Sequence, residues 1–272
     1  MNVHGFLPGR EVIIIGSGDI GLIMARRMTL EGAKVQAVCE IAPHPGGLKR
    51  NIVQCLEDFG IPLLLSHTVT QIHGRDRING VIIAKVDNNW KPIPGTEKFM
   101  SCDTLLLSVG LIPENELAQI AGVQMDEITS GAVTDQDRET SQKGIFACGN
   151  ALHVHDLADY ASEEAEIAGR AAANYILNPM EKTLHIPVIP GDGVRYTVPQ
   201  FITSAQEDVK VYFRAKNVCK NSIIRAQNGK DVLAEKKVLR IIPSEMETII
   251  LPKDRIGNKI SEVKISIQEV ES

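Results

Sequence analysis

The chain has 272 residues, 43% of them hydrophobic and 23% charged, with a formal net charge of −5. That is room for one large or two to three modest soluble domains. The weakly acidic balance and the 4% aromatic content exclude a nucleic-acid footprint, and no apolar run approaches the about 20 residues of a membrane span. The five cysteines form no C-x-x-C pair, and residues 1–10 lack the apolar core of a signal peptide. This pattern predicts reduced thiols in a cytoplasmic protein, with no redox dithiol and no zinc knuckle.

In chain order, Glu11 to Ile15 is a short β-branched strand, and a glycine loop follows at once. Asp19 to Leu30 has helical periodicity, with Ile20, Ile23, Met24 and Met28 expected on the inward face. Gly32 stops it, and Lys34 to Cys39 reads as a second buried strand. Leu48 to Phe59 is a second predicted helix, with Ile52, Val53, Leu56 and Phe59 inward, and Ile61 to Leu65 a third strand. This alternation predicts a parallel sheet with right-handed crossovers.

Thr68 to Ile72, Ile78 to Val86 and Glu97 to Met100 then read as a β-meander lying on that sheet. Thr104 to Val109 is a further strand, and Ser162 to Ile176 an alanine-rich amphipathic helix. From about His185 onward the pattern is all-β: Val194 to Val198, Val209 to Arg214, Ser222 to Arg225, Lys237 to Ile242, Thr248 to Leu251 and Glu262 to Gln268. Their spacing predicts a small sandwich, with Asn178-Pro179 as the hinge into it.

The loop Gly16-Ser17-Gly18-Asp19-Ile20-Gly21 fits the G-x-G-x-x-G pattern in its required setting, after a strand and at the head of a helix. Gly16 permits the tight turn, Gly18 lets a pyrophosphate approach the backbone, and Gly21 lets the helix pack on the strand. Phosphate charge would meet the free N–H groups and positive dipole end of the helix. Glu40, 22 residues past Gly18, stands where an acid accepts ribose hydroxyls. A carboxylate there repels a 2′-phosphate, so NAD is expected over NADP. Asp19 belongs to the loop and is also placed to cap its own helix.

Two further stretches carry a resemblance. Leu105 to Glu114 (L-L-L-S-V-G-L-I-P-E) and Thr140 followed by Gly144 to Asn150 (G-I-F-A-C-G-N) are similar to motifs of the two-dinucleotide flavoproteins, the pyridine nucleotide–disulfide oxidoreductase superfamily. The resemblance spans residues 5–180. It lies closest to the branch without the redox dithiol that contains the flavin–NAD subunits of sarcosine oxidase, dye-linked proline dehydrogenase and hydrogen cyanide synthase. It implies an α/β fold with a Rossmann-like NAD(P)-binding domain over 1–112, the C-terminal part of an FAD-binding domain over 113–183, and a small β-sandwich-like domain over 184–272.

The resemblance further implies that Gly110, Gly149 and Asn150 contact FAD or its neighbourhood, Asn150 standing where the family has an acid on the ribityl chain. By position, Asp159 to Glu164 would open the helix that points at the flavin. The family's first FAD glycine loop would precede the NAD domain, so an N-terminally truncated chain is expected. The missing ADP half would come from another flavoprotein chain or an upstream segment.

Other residues stay open. His153 and His155 flank the G-N motif and read as surface residues, with a metal pair or a lining for the flavin edge as alternatives; no metal site is expected. Glu163, Glu164 and Glu166 read as a solvated helix face, and Cys148 as a buried small hydrophobe. Lys49 and Arg50 can reach a pyrophosphate or face water. The expected function is an FAD-dependent NAD(P)H oxidoreductase or a subunit of one. The alternatives are a non-catalytic NAD(H)-binding module and an inactive truncated fragment.

Overall fold

The computed structural model describes residues 4–178 and 182–270, so Pro179 of the expected hinge lies outside the described residues. The chain divides into two compact units, residues 1–110 and 111–272.

In the first unit, β1 (Glu11–Ile15), α1 (Asp19–Leu30), β2 (Lys34–Glu40), α2 (Lys49–Cys55) and β3 (Leu63–Leu65) alternate. They are followed by β4 (His67–Gly74), β5 (Ile78–Lys85), β6 (Lys98–Met100) and β7 (Thr104–Leu107). The parallel sheet runs β3-β2-β1-β7, and β4-β5-β6 form a separate antiparallel sheet. The two-residue period of β1 separates its faces. Val12 and Ile14 pack with Leu22, Ala25 and Met28 under α1, while Ile13 packs with Val81 and Ile83 of β5. Helices cover one face of the parallel sheet and the meander covers the other, as the sequence predicts.

The expected rotation of the first helix is corrected. Ile20 and Ile23 are 70% and 46% exposed, whereas Gly21, Leu22, Ala25 and Met28 face the sheet. A Cβ at Gly21 would stand 2.5 Å from the Gly16 carbonyl oxygen. That close approach fixes which side of α1 faces inward, overriding a template started at Ile20. The second predicted helix ends at Cys55 and passes into a 3₁₀ turn at Glu57–Phe59. The strand after it begins at Leu63, beyond Pro62, which has no ladder donor.

The second unit holds α3 (Glu116–Ile120), α4 (Ala158–Leu177), β8 (Ile186–Pro190), β9 (Val194–Val198) and β10 (Phe201–Ile202). It continues through β11 (Val209–Ala215), β12 (Cys219–Asn228), β13 (Asp231–Ile241), β14 (Met246–Leu251) and β15 (Val263–Glu269). Sheets ordered β10-β8-β15-β12-β13 and β14-β11-β9 share one apolar core, built from Ile224, Ile241, Val263 and Ile265 on one side and Val211, Phe213 and Ile249 on the other. This is the predicted sandwich. Alternation along β11 sends Val209, Val211, Phe213 and Ala215 into that core and leaves Lys210, Tyr212 and Arg214 for the opposite face. Strand β8 and helix α3 are absent from the sequence-based expectation. The two prolines of β8 break the strand signature, yet it pairs in parallel with β15.

Candidate functional site

The glycine loop leaves β1 as Gly16 donates its N–H to the Cys39 carbonyl at 2.8 Å. Gly16 has φ +94°, and a Cβ there would lie 2.0 Å from the Ser108 carbonyl oxygen, so a side chain is barred twice over. Gly18 differs. Its φ is −62°, and a Cβ on it would meet nothing within 4 Å. Its lack of a side chain therefore serves no packing need and leaves open space at the head of α1, where no side chain caps the first-turn N–H groups.

Glu40, at the end of β2, closes on this loop. Its Oε2 accepts from the Ser17 N–H at 2.9 Å and the Ser17 hydroxyl at 2.6 Å, and its Oε1 from the Ala42 N–H at 2.9 Å. The buried Ser17 hydroxyl in turn accepts from the Gly46 N–H. Asp19 does not cap α1, contrary to that expectation. Its Oδ1 accepts from the Leu48 N–H at 2.8 Å and Asn51 Nδ2 at 2.7 Å, so it ties the start of α2 to the loop. Lys49 and Arg50 are exposed at the start of α2. Gly110 closes the unit at φ +105°.

In the second unit, Gly149 (φ +67°) and exposed Asn150 open a 3₁₀ turn, and Asn150 Oδ1 accepts from the His155 N–H at 3.0 Å. The chain then carries His153 and His155 inward to Glu164, on the first turns of α4. This overturns the expectation of surface histidines and a solvated Glu164. Their side chains are 1%, 2% and 0% exposed. Glu163 and Glu166 are exposed, as expected, and Cys148 is half-buried.

Glu164 Oε1 accepts from Arg138 Nε at 2.9 Å and His153 Nε2 at 3.1 Å. Its Oε2 accepts from the Gly149 N–H and His155 Nε2, both at 2.9 Å. Burial opposes the carboxylate charge, but the two imidazole N–H groups and the Arg138 guanidinium together hold Glu164 well below the usual carboxylate range. The network assigns the Nε2–H tautomer to both rings, leaving Nδ1 of each as a buried acceptor without a partner among the described residues. Burial holds His153 below its usual value despite Glu164, so the ring is neutral. His153, His155 and Glu164 also offer ligand atoms within 4.8 Å of one another. A dication would have to displace donors from both carboxylate oxygens and sit beside a buried guanidinium.

Sequence reasoning missed Arg138, 1% exposed, and the buried Asn115, whose Nδ2 donates to the carbonyls of Ser130 and Ala151. Two histidines after a glycine turn, followed by an acid 11 residues past the first of them, were the available signal.

A family model described as pyridine nucleotide-disulphide oxidoreductase matches residues 3–165. The chain belongs to this family. Members are flavin- and nicotinamide-dinucleotide-dependent oxidoreductases. The mitochondrial dihydrolipoyl dehydrogenase of Caenorhabditis elegans is 28% identical over 251 residues, covering 86% of this chain and 48% of that protein. The nitric oxide reductase FlRd-NAD(+) reductase of Escherichia coli is 27% identical, covering 54% of this chain and 36% of its own length. Among solved structures, T. acidophilum thioredoxin reductase superposes with a TM-score of 0.50 at 28% identity, over 61% of this chain and 51% of its own. The chain thus spans about a third to a half of the length of these relatives. Among the described residues, no helix is long and apolar enough to cross a membrane.

Proposed function

We propose that the chain forms the nicotinamide module and the C-terminal flavin-motif segment of an FAD-dependent NAD(P)H oxidoreductase, with hydride passing between NAD(H) and a flavin. The division into 1–112, 113–183 and 184–272 follows this reading. The observation that carries it is the open space at Gly18: a glycine with no packing reason to be one, at an uncapped helix head, beside an acid anchored to the same loop.

Gly16 to Gly21 would hold the pyrophosphate, and Glu40 the adenosine ribose. Among the described residues, Glu40 Oε2 takes two hydrogen bonds and Oε1 one, so a lone pair on Oε1 remains for a ribose hydroxyl without breaking the loop. A 2′-phosphate would meet that carboxylate, which favours NAD. Gly110 and Gly149 supply turns at positive φ, and Asn150 offers amide N–H donors to a ribityl hydroxyl. The helix α4 starts without a side-chain cap, so its N-terminal N–H groups suit negative charge on a reduced flavin. When bound, the flavin supplies the hydride-accepting ring, and the protein binds and orients it. Another flavoprotein chain or segment would supply the rest of the flavin site.

Titration with NADH and NADPH, followed by nicotinamide fluorescence, tests the first part. Glu40→Ala is expected to weaken NADH binding about tenfold, a loss of about 1.4 kcal/mol, and to narrow the preference over NADPH. Unchanged affinity for both would remove Glu40 from the ribose. A yellow flavin spectrum bleached by NADH tests the second part. Colourless protein that still binds NADH would leave a non-catalytic NAD(H)-binding module.

A further inference from the structure

The face of β11 that turns away from the sandwich core is built from Lys210, Tyr212 and Arg214; Tyr212 and Arg214 meet the segment around the G-N motif, and Lys210 meets α4. Arg214 Nη2 donates to the Val154 carbonyl at 3.0 Å and to Asp156 Oδ1 at 2.5 Å, while Nη1 donates to the Ser244 carbonyl. Asp156 Oδ2 also accepts from the Met246 N–H at 2.6 Å, so this acid is gripped by two strands of the same sheet. The buried Tyr212 ring stands edge-on to His153 and His155, at 5.6 and 6.0 Å between centroids, with the Arg138 guanidinium over it at 5.7 Å. Lys210 Nζ donates to both oxygens of Glu163 on α4. Leu152, fully buried, packs with Tyr196 and Val198 of β9.

The loop 149–157 is thus held from two sides. Glu164 grips it from α4 through Gly149, His153 and His155, and β11 grips it through Val154, Asp156 and the imidazole faces. A loop carries a ligand-facing group accurately only when its supports are fixed. Here half of the supports come from the β-rich tail.

We propose that β11 is a positioning element for the flavin motif, with Arg214 and Tyr212 as positioning residues that set loop 149–157 and with it Asn150 and the N-terminus of α4. The inference rests on the flavin reading above for what the loop contacts. Its structural half, that the tail dictates the loop, stands independently. The β-rich tail is then part of the cofactor site and not an appended module.

The test uses the full chain with Arg214→Ala, Arg214→Lys and Tyr212→Leu, read by amide hydrogen exchange, by histidine ¹⁵N shifts, and by quenching of added FAD fluorescence. Arg214→Ala is expected to speed exchange across 149–157 at least tenfold, about the effect of one charge-assisted hydrogen bond, and to shift both imidazole signals. Exchange in β12 and β15 and NADH affinity should not change. FAD affinity should fall about tenfold, and Arg214→Lys, which keeps the charge and one donor, should recover part of it. Tyr212→Leu should move the imidazole signals and FAD affinity in the same direction. Unchanged exchange at 149–157 in folded Arg214→Ala protein overturns the proposal, as does loosened exchange with FAD affinity intact. If wild-type chain does not quench FAD, this chain does not hold the flavin by itself and the cofactor half of the proposal falls. Exchange and imidazole shifts then decide whether the tail sets the loop.

Discussion

Glu164→Ala is the substitution whose cost the structure specifies best. It removes one acceptor group from four donors: Arg138 Nε, His153 Nε2, His155 Nε2 and the Gly149 N–H. Arg138 is one of the largest fully buried side chains among the described residues, so its charge would be left without a counter-charge at 1% exposure. Stripping one partner from a buried ion pair costs about 3–5 kcal/mol. Each stranded donor costs about 1–3 kcal/mol more where water cannot enter. These costs overlap, because relaxation around the vacated site relieves several at once, and about 4 kcal/mol is the expected loss. Against a typical total of about 5–15 kcal/mol, that is a large share of the stability of the second unit. Hydrogen exchange of the slowest α4 and β11 amides should accelerate roughly a thousandfold, while α1 and β2 amides keep their rates. Adding Arg138→Met removes the stranded charge and should recover at least about 1 kcal/mol. A loss below about 1 kcal/mol, or a double variant no better than the single one, would refute the view that charge compensation holds this cluster together.

Gly18→Ala should leave stability unchanged, since its Cβ meets open space at an ordinary φ, yet weaken NADH binding at least about tenfold. Gly21→Ala should cost about 1–3 kcal/mol by thermal or urea unfolding, because its Cβ would press on the Gly16 carbonyl and Ser108; equal binding losses without that contrast in stability would show that the two glycines are not divided between ligand and packing. Acidification should destabilise the second unit in two stages. His153 stays neutral in the fold while the unfolded chain takes up a proton near 6.5, so stability falls as pH drops below about 6.5; Glu164 stays ionised while its unfolded form protonates near 4.5, so a second loss follows below that. Urea midpoints of α4 exchange at pH 7.5, 5.5 and 4 check the order, and a midpoint constant down to pH 4 would contradict it.

Most of the first unit was legible because its constraints are local. The glycine spacing, the strand before it and the acid at the end of the next strand all lie within 30 residues and answer to one turn geometry. The misplaced face of α1 shows the limit: periodicity gives a stripe, but the contact of Gly21 with Gly16 selects its rotation. Glu164 was illegible for a different reason. An E-E-x-E sequence at a helix start reads the same whether one carboxylate faces water or not. Its burial is decided by Arg138, 26 residues upstream, and by a tyrosine on β11. β8 was hidden because its two prolines, Pro187 and Pro190, contradict strand propensity, which pairing with β15 and β10 overrides.

The two glycine turns of the candidate sites share a device that separates their roles. In each, a carboxylate from the neighbouring element accepts a backbone N–H of the turn: Glu40 from Ser17 and Glu164 from Gly149. Each therefore rigidifies its turn before any ligand arrives, which lowers the ordering cost of binding. The saturation of the two acids differs. Glu164 takes two hydrogen bonds on each oxygen at 0% exposure, and that completes the capacity of a carboxylate. It can brace the turn but offers nothing to a ligand. Glu40 is half-buried and keeps lone-pair capacity on Oε1, so it can brace and bind together. Isosteric loss of charge should then sort them. Glu40→Gln should act mainly on dinucleotide affinity, and Glu164→Gln mainly on the exchange of its own turn.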